Sequence, residues 1–543
     1  MDRKDFIAGI MEIFHEYPYT NVDIFAFMDF DVVIIGAGSN GLSCACRLAG
    51  AGLRVGVFER SGMVGGAART EELWPSFRVS SASYVLSLMP PSIMGEFELE
   101  RFGLKLLRMD PSMVQPFPGG KQLVIWRDPI RTLDEVAKFS KRDAETAAKY
   151  YEDWERFFQV FDKHLLTPNP PRIGELEDEL CREGLDYLVP HMLYGSVGEF
   201  MDEYFESDEV KTAFAQEAII GSHAGPYTPG NMANMILHSM GMSTGVRGAW
   251  AYVEGGMGAV SRALLRAAES RGAKVFVGAR VKRVVVRSGR AVGVELEDGR
   301  FVGARVVASN ADIKTSVLKL LEPDHLPTQS RRSVESLKNM GVSMKVHLAL
   351  DGLPQFAEGL DSKIAVSSII HIAPSLEYLE RAYDESKYFE PSSHPFVSLE
   401  FPTVYDTTLA PPEKHIASMF VQYAPYKLRE GDWDEVKHEY VDVVLDTVQE
   451  YAPNIRQKIL NTHVYSPKDL ERVIGIVGGN IHHIDVTLPQ SFGNRPLPGW
   501  GYTTPVVGYY LCGASTYPGG GVSGVCGYNA ATKILNDIHN KRV

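Results

Sequence analysis

The chain is poor in cysteine, has no excess of positive charge and contains no long apolar run, and each shortage narrows what it can be. Five cysteines in 543 residues exclude a disulfide framework as the basis of the fold. None forms Cys-x-x-Cys, and Cys44 and Cys46, two apart in an expected helix, point to different faces. A dinucleotide enzyme that passes electrons through a disulfide needs neighbouring thiols, so all five are read as structural. The net charge of −13 argues against nucleic acid as a partner and gives no attraction to anionic membranes. No stretch approaches the roughly 18 consecutive apolar residues of a membrane span. The expectation is a cytoplasmic protein, with peripheral membrane contact left open. The length allows a large core and two or more structural units.

What is present is concentrated in residues 29–60, DFDVVIIGAGSNGLSCACRLAGAGLRVGVFER. Val32–Ile35 reads as a strand of a parallel sheet covered on both faces. Gly36–Ala37–Gly38–Ser39–Asn40–Gly41 then supplies Gly-x-Gly-x-x-Gly. The first glycine permits the turn, the second admits a pyrophosphate to the backbone, and the third lets helix pack on strand. A helix of small residues follows, its positive end toward the phosphates. A second strand, Arg54–Phe58, ends in Glu59, 18 residues past Gly41, placed to accept hydrogen bonds from ribose hydroxyls. Strand, turn, helix, strand and acid together predict dinucleotide binding.

Residues 1–27 precede this unit. Phe6, Ile7, Ile10, Met11, Ile13 and Phe14 would line one side of a short amphipathic helix, and scattered acids exclude a signal or Arg-rich transit peptide. The segment is read as an N-terminal extension (residues 1–28), with a helix that docks on a partner as the alternative.

A second glycine pair distinguishes the dinucleotides. In Arg60–Ser61–Gly62–Met63–Val64–Gly65–Gly66–Ala67–Ala68–Arg69, bare backbone again comes close to a ligand. FAD uses such a second approach, because its flavin portion must thread past the first domain; a nicotinamide dinucleotide does not. Arg69 is read as a phosphate or flavin-carbonyl contact, with a surface arginine as the alternative. These motifs, with FRVSSASYVLSLMPPSI at 77–93, resemble the phytoene desaturase and amine oxidase superfamily. The similarity extends over nearly the whole chain beyond residue 28. Within that superfamily the chain resembles the phytoene dehydrogenase-like branch whose name carries a pyridine nucleotide-disulfide oxidoreductase domain. The missing thiol pair argues against disulfide chemistry despite that name.

The resemblance extends to the far end, VVGYYLCGASTYPGGGVSGVCGYNAA at 506–531. A strand through Tyr509–Cys512 is broken by Gly513, and Pro518–Gly519–Gly520–Gly521 opens directly into a helix running through Val522 to about Ile538. N–H donors and a positive dipole end beside the flavin would favour its reduced anion; a tight packing turn is the alternative. Gly513, Gly520, Gly521 and Val522 are accordingly taken as cofactor-binding, with Gly36, Ala37, Gly38, Ser39, Asn40, Gly41, Glu59, Arg60, Gly65, Gly66, Ala67 and Arg69. Tyr517 stands where phytoene desaturases carry a histidine. Near Gly478–Asn480, His482 and His483 line the reaction chamber or pack as core or surface histidines.

Between the termini, Gly255–Gly258 opens a helix ending near Gly272, and 281–312 reads as a meander split by Ser288–Gly289 and Asp298–Gly299 turns. By resemblance, Val281 meets the adenine and Asn310 ends a strand beside the dinucleotide. No second Gly-x-Gly-x-x-Gly directly joins a strand to a helix (Gly519–Gly524 stands seven residues beyond its strand), so no separate NAD(P)H domain is expected. The fold class is α/β: a discontinuous Rossmann-like FAD-binding domain of the glutathione reductase/amine oxidase type (29–110, 250–345, 465–543) with an inserted α+β substrate or cap domain (111–249, 346–464). Met232, Met235, Met240 and Met242 suit an apolar channel, although core packing is the preferred reading.

The expected function is an FAD-dependent oxidoreductase moving hydride from a C–H bond of an apolar small molecule to flavin N5, with oxygen or a quinone as electron acceptor. His223, His482, His483 and Asp485 are the candidate bases, with release of the proton to solvent as the alternative, and no metal site is assigned. An amine oxidase-like flavoenzyme, a redox-neutral polyene isomerase and a flavin-bound regulatory or scaffolding protein are the alternatives.

Overall fold

A computed structural model describes residues 29–543; the amphipathic segment before them lies outside the described residues. The first apolar run is the strand Phe30–Ile35, with Val32, Val33 and Ile34 fully buried. Both its edges pair in parallel, Val33 standing opposite Gly56 of Val55–Phe58 and Val307 of Phe301–Ser309. Lys274–Phe276 extends one side of this sheet in parallel, and Tyr509–Leu511 pairs with the end of Phe301–Ser309. The meander Val281–Arg287, Arg290–Leu296, Phe301–Ser309 is antiparallel, with Ser288–Gly289 and Asp298–Gly299 at its turns.

Burial on both faces requires helices. The helix Ser39–Gly50 packs between Gly258–Ser270 and Val525–His539. The approach is very close: a Cβ on Gly527 would lie 1.8 Å from the Asn40 carbonyl oxygen. One expectation is corrected here. The C-terminal helix begins at Val525 rather than at the glycine run, because Gly524 adopts φ 71° and serves as its N-cap. Pro518–Ser523 is therefore an extended loop wall. All five cysteines are free thiols. The fold does bring together one pair invisible in sequence, Cys44 and Cys512, where burial pushes the Cys512 thiol well above its usual range and so keeps it un-ionised.

The second seven-stranded sheet runs Ile459–Tyr465, Ser343–Leu350, His415–Gln422, Phe396–Glu400, Ile369–Ile372, Met113–Phe117, Lys121–Ile125. Alternation decides its faces. Met344, Val346, Leu348 and Leu350 join the core that includes Trp433, Tyr440 and Val444 of the helix Trp433–Gln449. Ser343, Lys345 and His347 take the other face, also buried. A helical layer, led by the long helix Lys141–Phe161, packs Tyr150, Trp154, Phe157 and Phe158 into one aromatic cluster with Phe200. Met232, Met235 and Met240 are buried in the same core.

Candidate active site

The parallel strands Phe30–Ile35 and Val55–Phe58 end at a cavity of about 480 Å³, where an open α/β sheet receives its ligand. Its wall begins with the first glycine turn. Gly36 has φ +94°, a Cβ on Gly38 would stand 2.9 Å from Asn310 Nδ2, and one on Gly41 would stand 2.2 Å from the Gly36 carbonyl oxygen. The second glycine pair lies directly against the first. Gly38 and Gly65 form a bridge, and the Gly65 N–H donates to the Ala37 carbonyl at 2.8 Å. Bare main chain from both motifs, with Ser39, Asn40, Gly66 and Ala67, thus lines one stretch of the cavity.

At one end of the cavity, Glu59 is anchored rather than loose. Its Oε2 accepts the Ala37 N–H at 2.9 Å and its Oε1 accepts the Ser61 N–H at 2.8 Å. Arg60 and Val281 line the wall beside it, and Asn310, Gly521 and Val522 line it further on. A glycine cradle, exposed N–H groups and a fixed carboxylate form the donor and acceptor set that a dinucleotide requires. FAD fits these residues.

Other expected contacts stand behind the lining. The Ala37 N–H is consumed by Glu59, and Gly41 is filled by the Gly36 carbonyl. Gly513 packs on the Asn310 carbonyl and Gly520 on His482. Arg69 is neither at the surface nor on the cavity. Its Nε donates to Glu71 Oε2 at 2.9 Å, and that carboxylate also accepts the Tyr465 hydroxyl at 3.2 Å and the Ser81 hydroxyl. The acid two positions along therefore holds the guanidinium.

His482 and His483 both line the cavity. The Ile220 carbonyl, 3.0 Å from His482 Nε2, accepts a hydrogen bond from its N–H, leaving Nδ1 as a bare acceptor. Burial holds His482 down to about 3 and His483 down to about 4, so both are neutral. Asp485 and His223 are not on the wall. Asp485 is tied to Asn480 Nδ2 at 2.5 Å, and burial pushes its carboxyl up to about 6. His223 packs against Tyr383 at 5.2 Å between ring centroids. Of the four candidate bases, the cavity wall thus brings together His482 and His483.

Beyond the glycine loops the chamber turns apolar, with Tyr84, Val85, Leu86, Leu88, Trp250 and Phe420 on its wall. The Tyr84 and Phe420 rings are 6.3 Å apart. Lys345 Nζ sits 3.9 Å from the Tyr84 ring centroid and pairs with Glu400 at 2.9 Å. None of Met232, Met235, Met240 or Met242 reaches the wall, in keeping with their reading as core. Sequence reasoning missed Glu217 and His238, which both line the chamber. The signal was available: Glu217 is the only charged residue between Lys211 and Arg247.

A family model for flavin containing amine oxidoreductases matches residues 41–423. The chain is 36% identical to pyridine nucleotide-disulfide oxidoreductase domain-containing protein 2 of Rattus norvegicus, over 94% of each chain. It is 27% identical to a lycopene-forming phytoene desaturase of Pseudescherichia vulneris, over 93% of this chain and 98% of that one. An oxidoreductase from Methanosarcina mazei superposes with a TM-score of 0.61 at 19% identity, over 93% of this chain and 99% of that one, a likeness of fold.

Proposed function

Because the chain belongs to the flavin-containing amine oxidoreductase family, we propose that this FAD-dependent oxidoreductase desaturates an apolar small molecule. In this reading, residues 29–110, 250–345 and 465–543 hold FAD, and residues 111–249 and 346–464 close over a substrate chamber. Segments 29–110 and 250–345 share its wall through Tyr84, Val85, Leu86, Leu88 and Trp250. Bound FAD supplies the hydride acceptor. The chain's own part is to bind, orient and exclude water. The observation that carries the choice of substrate is the chamber wall of Tyr84, Val85, Leu86, Leu88, Trp250 and Phe420. Lys345, paired with Glu400, already occupies one face of the Tyr84 ring and so leaves that π face closed to a substrate ammonium group, which favours a hydrocarbon over an amine.

The test is anaerobic mixing of the holoenzyme with phytoene, limonene, alkylamines and NADPH while the flavin's visible band is followed. A hydrocarbon is expected to bleach it and NADPH alone to leave it unchanged. Bleaching by amines but by no hydrocarbon would replace this reading with an amine oxidase. A second expectation concerns Glu59. In Glu59→Ala the Ala37 and Ser61 N–H groups lose their acceptor, at about 1–3 kcal/mol, so FAD affinity should fall roughly 10- to 100-fold. Fluorimetric FAD titration of the apoprotein checks this, and an unchanged Kd would remove Glu59 from the cofactor site.

A further inference from the structure

A desaturation removes hydride from one carbon and a proton from its neighbour, and the proton needs a base. Neither chamber histidine is well suited. His482 Nδ1 is directed at the glycine loop, where a Cβ on Gly520 would lie 2.9 Å away, and His483 is held neutral by burial down to about 4.

Resting on the desaturase reading above, we propose that Glu217 is the group that takes this proton. One C–H bond of the substrate breaks with its electron pair leaving as hydride to the bound flavin. The adjacent C–H bond breaks with its pair becoming the new C=C bond, and its proton passes to the Glu217 carboxylate.

Two acids of the cavity wall, Glu217 and Asp312, have a buried carboxylate oxygen without a partner. Asp312 is held through its other oxygen by the Lys314 N–H at 2.7 Å, whereas the Glu217 side chain has no such bond. Asp153 is held by Lys149, Tyr187 and Tyr204, Asp143 accepts the Glu206 and Ser207 N–H groups, and Glu400 pairs with Lys345. These acids support structure. The Glu217 side chain makes no hydrogen bond or ion pair among the described residues, its Oε2 is buried without a partner, and the residue lines the apolar chamber. Its position is nonetheless fixed through its backbone, whose carbonyl accepts from Asn234 Nδ2 at 3.2 Å and lies 3.1 Å from His238 Nδ1. The titratable groups that face it are Tyr84, Tyr150 and His238, none of which carries charge at neutral pH. Nearby on the preceding helix, Lys211 and Glu209 are turned outward onto Asp202 and Lys121. A carboxyl on the wall of a ligand chamber, with its backbone fixed and its desolvation left unrepaid, is the arrangement that proton transfer exploits and packing does not. Burial pushes this carboxyl up to about 8.

The base acts as carboxylate, so the rate of flavin reduction by phytoene or limonene in the wild-type holoenzyme should rise with pH through about 8 and level off above it. In Glu217→Gln the rate should fall about 100-fold or more and the pH dependence should disappear, with FAD content unchanged. The infrared carbonyl band of a protonated carboxylic acid should titrate away over the same range in wild type and be missing from the variant. A flat wild-type profile, or a variant reduced at the wild-type rate, overturns the role of Glu217 while leaving the desaturase reading intact. If no hydrocarbon reduces wild-type flavin, both fall together.

Discussion

Arg495→Met is expected to destabilise the fold by more than about 3 kcal/mol and to yield protein depleted of FAD. Arg495 is 1% exposed, and its guanidinium is the hub of two loops that carry cavity wall. It donates to the carbonyls of His482 at 2.6 Å, Ala514 at 2.9 Å, Gln490 at 3.1 Å and Thr516 at 3.3 Å. Methionine fills the volume but supplies no donor. Several buried carbonyl oxygens would lose their partner at once, and each unsatisfied group costs about 1–3 kcal/mol. Burial already draws the guanidinium down to about 10, a sign of how fully water is excluded around it. Lysine at this position should recover little, because a point charge cannot reproduce the planar fork. Urea denaturation and the flavin-to-protein absorbance ratio are the measurements. A variant within about 0.5 kcal/mol of wild type and fully loaded with FAD would show that the carbonyls find other partners.

The second large effect is expected at Gly41. An alanine methyl there would meet the Gly36 carbonyl oxygen at 2.2 Å and Asn310 Nδ2 at 3.0 Å. Neither can retreat without moving the turn that lines the cavity. Overpacking of this kind costs about 1–3 kcal/mol, and here the distortion falls on the pyrophosphate approach itself. Gly41→Ala should be purified essentially colourless. Gly62 supplies the control, since nothing lies within 4 Å of a Cβ built there; Gly62→Ala should keep its FAD. If both variants are equally yellow, the close contact at Gly41 is not what admits the cofactor.

What the sequence revealed and what it hid follow from the range of the interactions involved. The first glycine turn was legible because strand, turn, helix and acid are consecutive, and each restricts its neighbours' conformation. The meander was legible for the same reason, with Ser288–Gly289 and Asp298–Gly299 marking its reversals. The start of the last helix was not, because Pro518–Gly524 offers few side chains to signal where helical geometry begins. The Arg69–Glu71 pair was not foreseen, because the two lie two positions apart along an extended chain and so share a side. The chamber was the least legible part. Tyr84, Glu217, Trp250 and Phe420 come from four separate segments, and only tertiary packing brings them together. His223 stands close in sequence to Ile220 of the chamber wall, yet its ring packs on Tyr383.

The pairing of Phe30–Ile35 with Phe301–Ser309, and of that strand with Tyr509–Leu511, imposes an order on biosynthesis. Residues leave the ribosome at about 5–20 per second, so the earliest strand of the nucleotide fold waits some tens of seconds for the partners that complete its sheet. Throughout that interval an apolar edge is exposed on the nascent polypeptide, and the loop that closes over the prosthetic group has not been made. Loading of that group is therefore expected only once the last of these strands has been made.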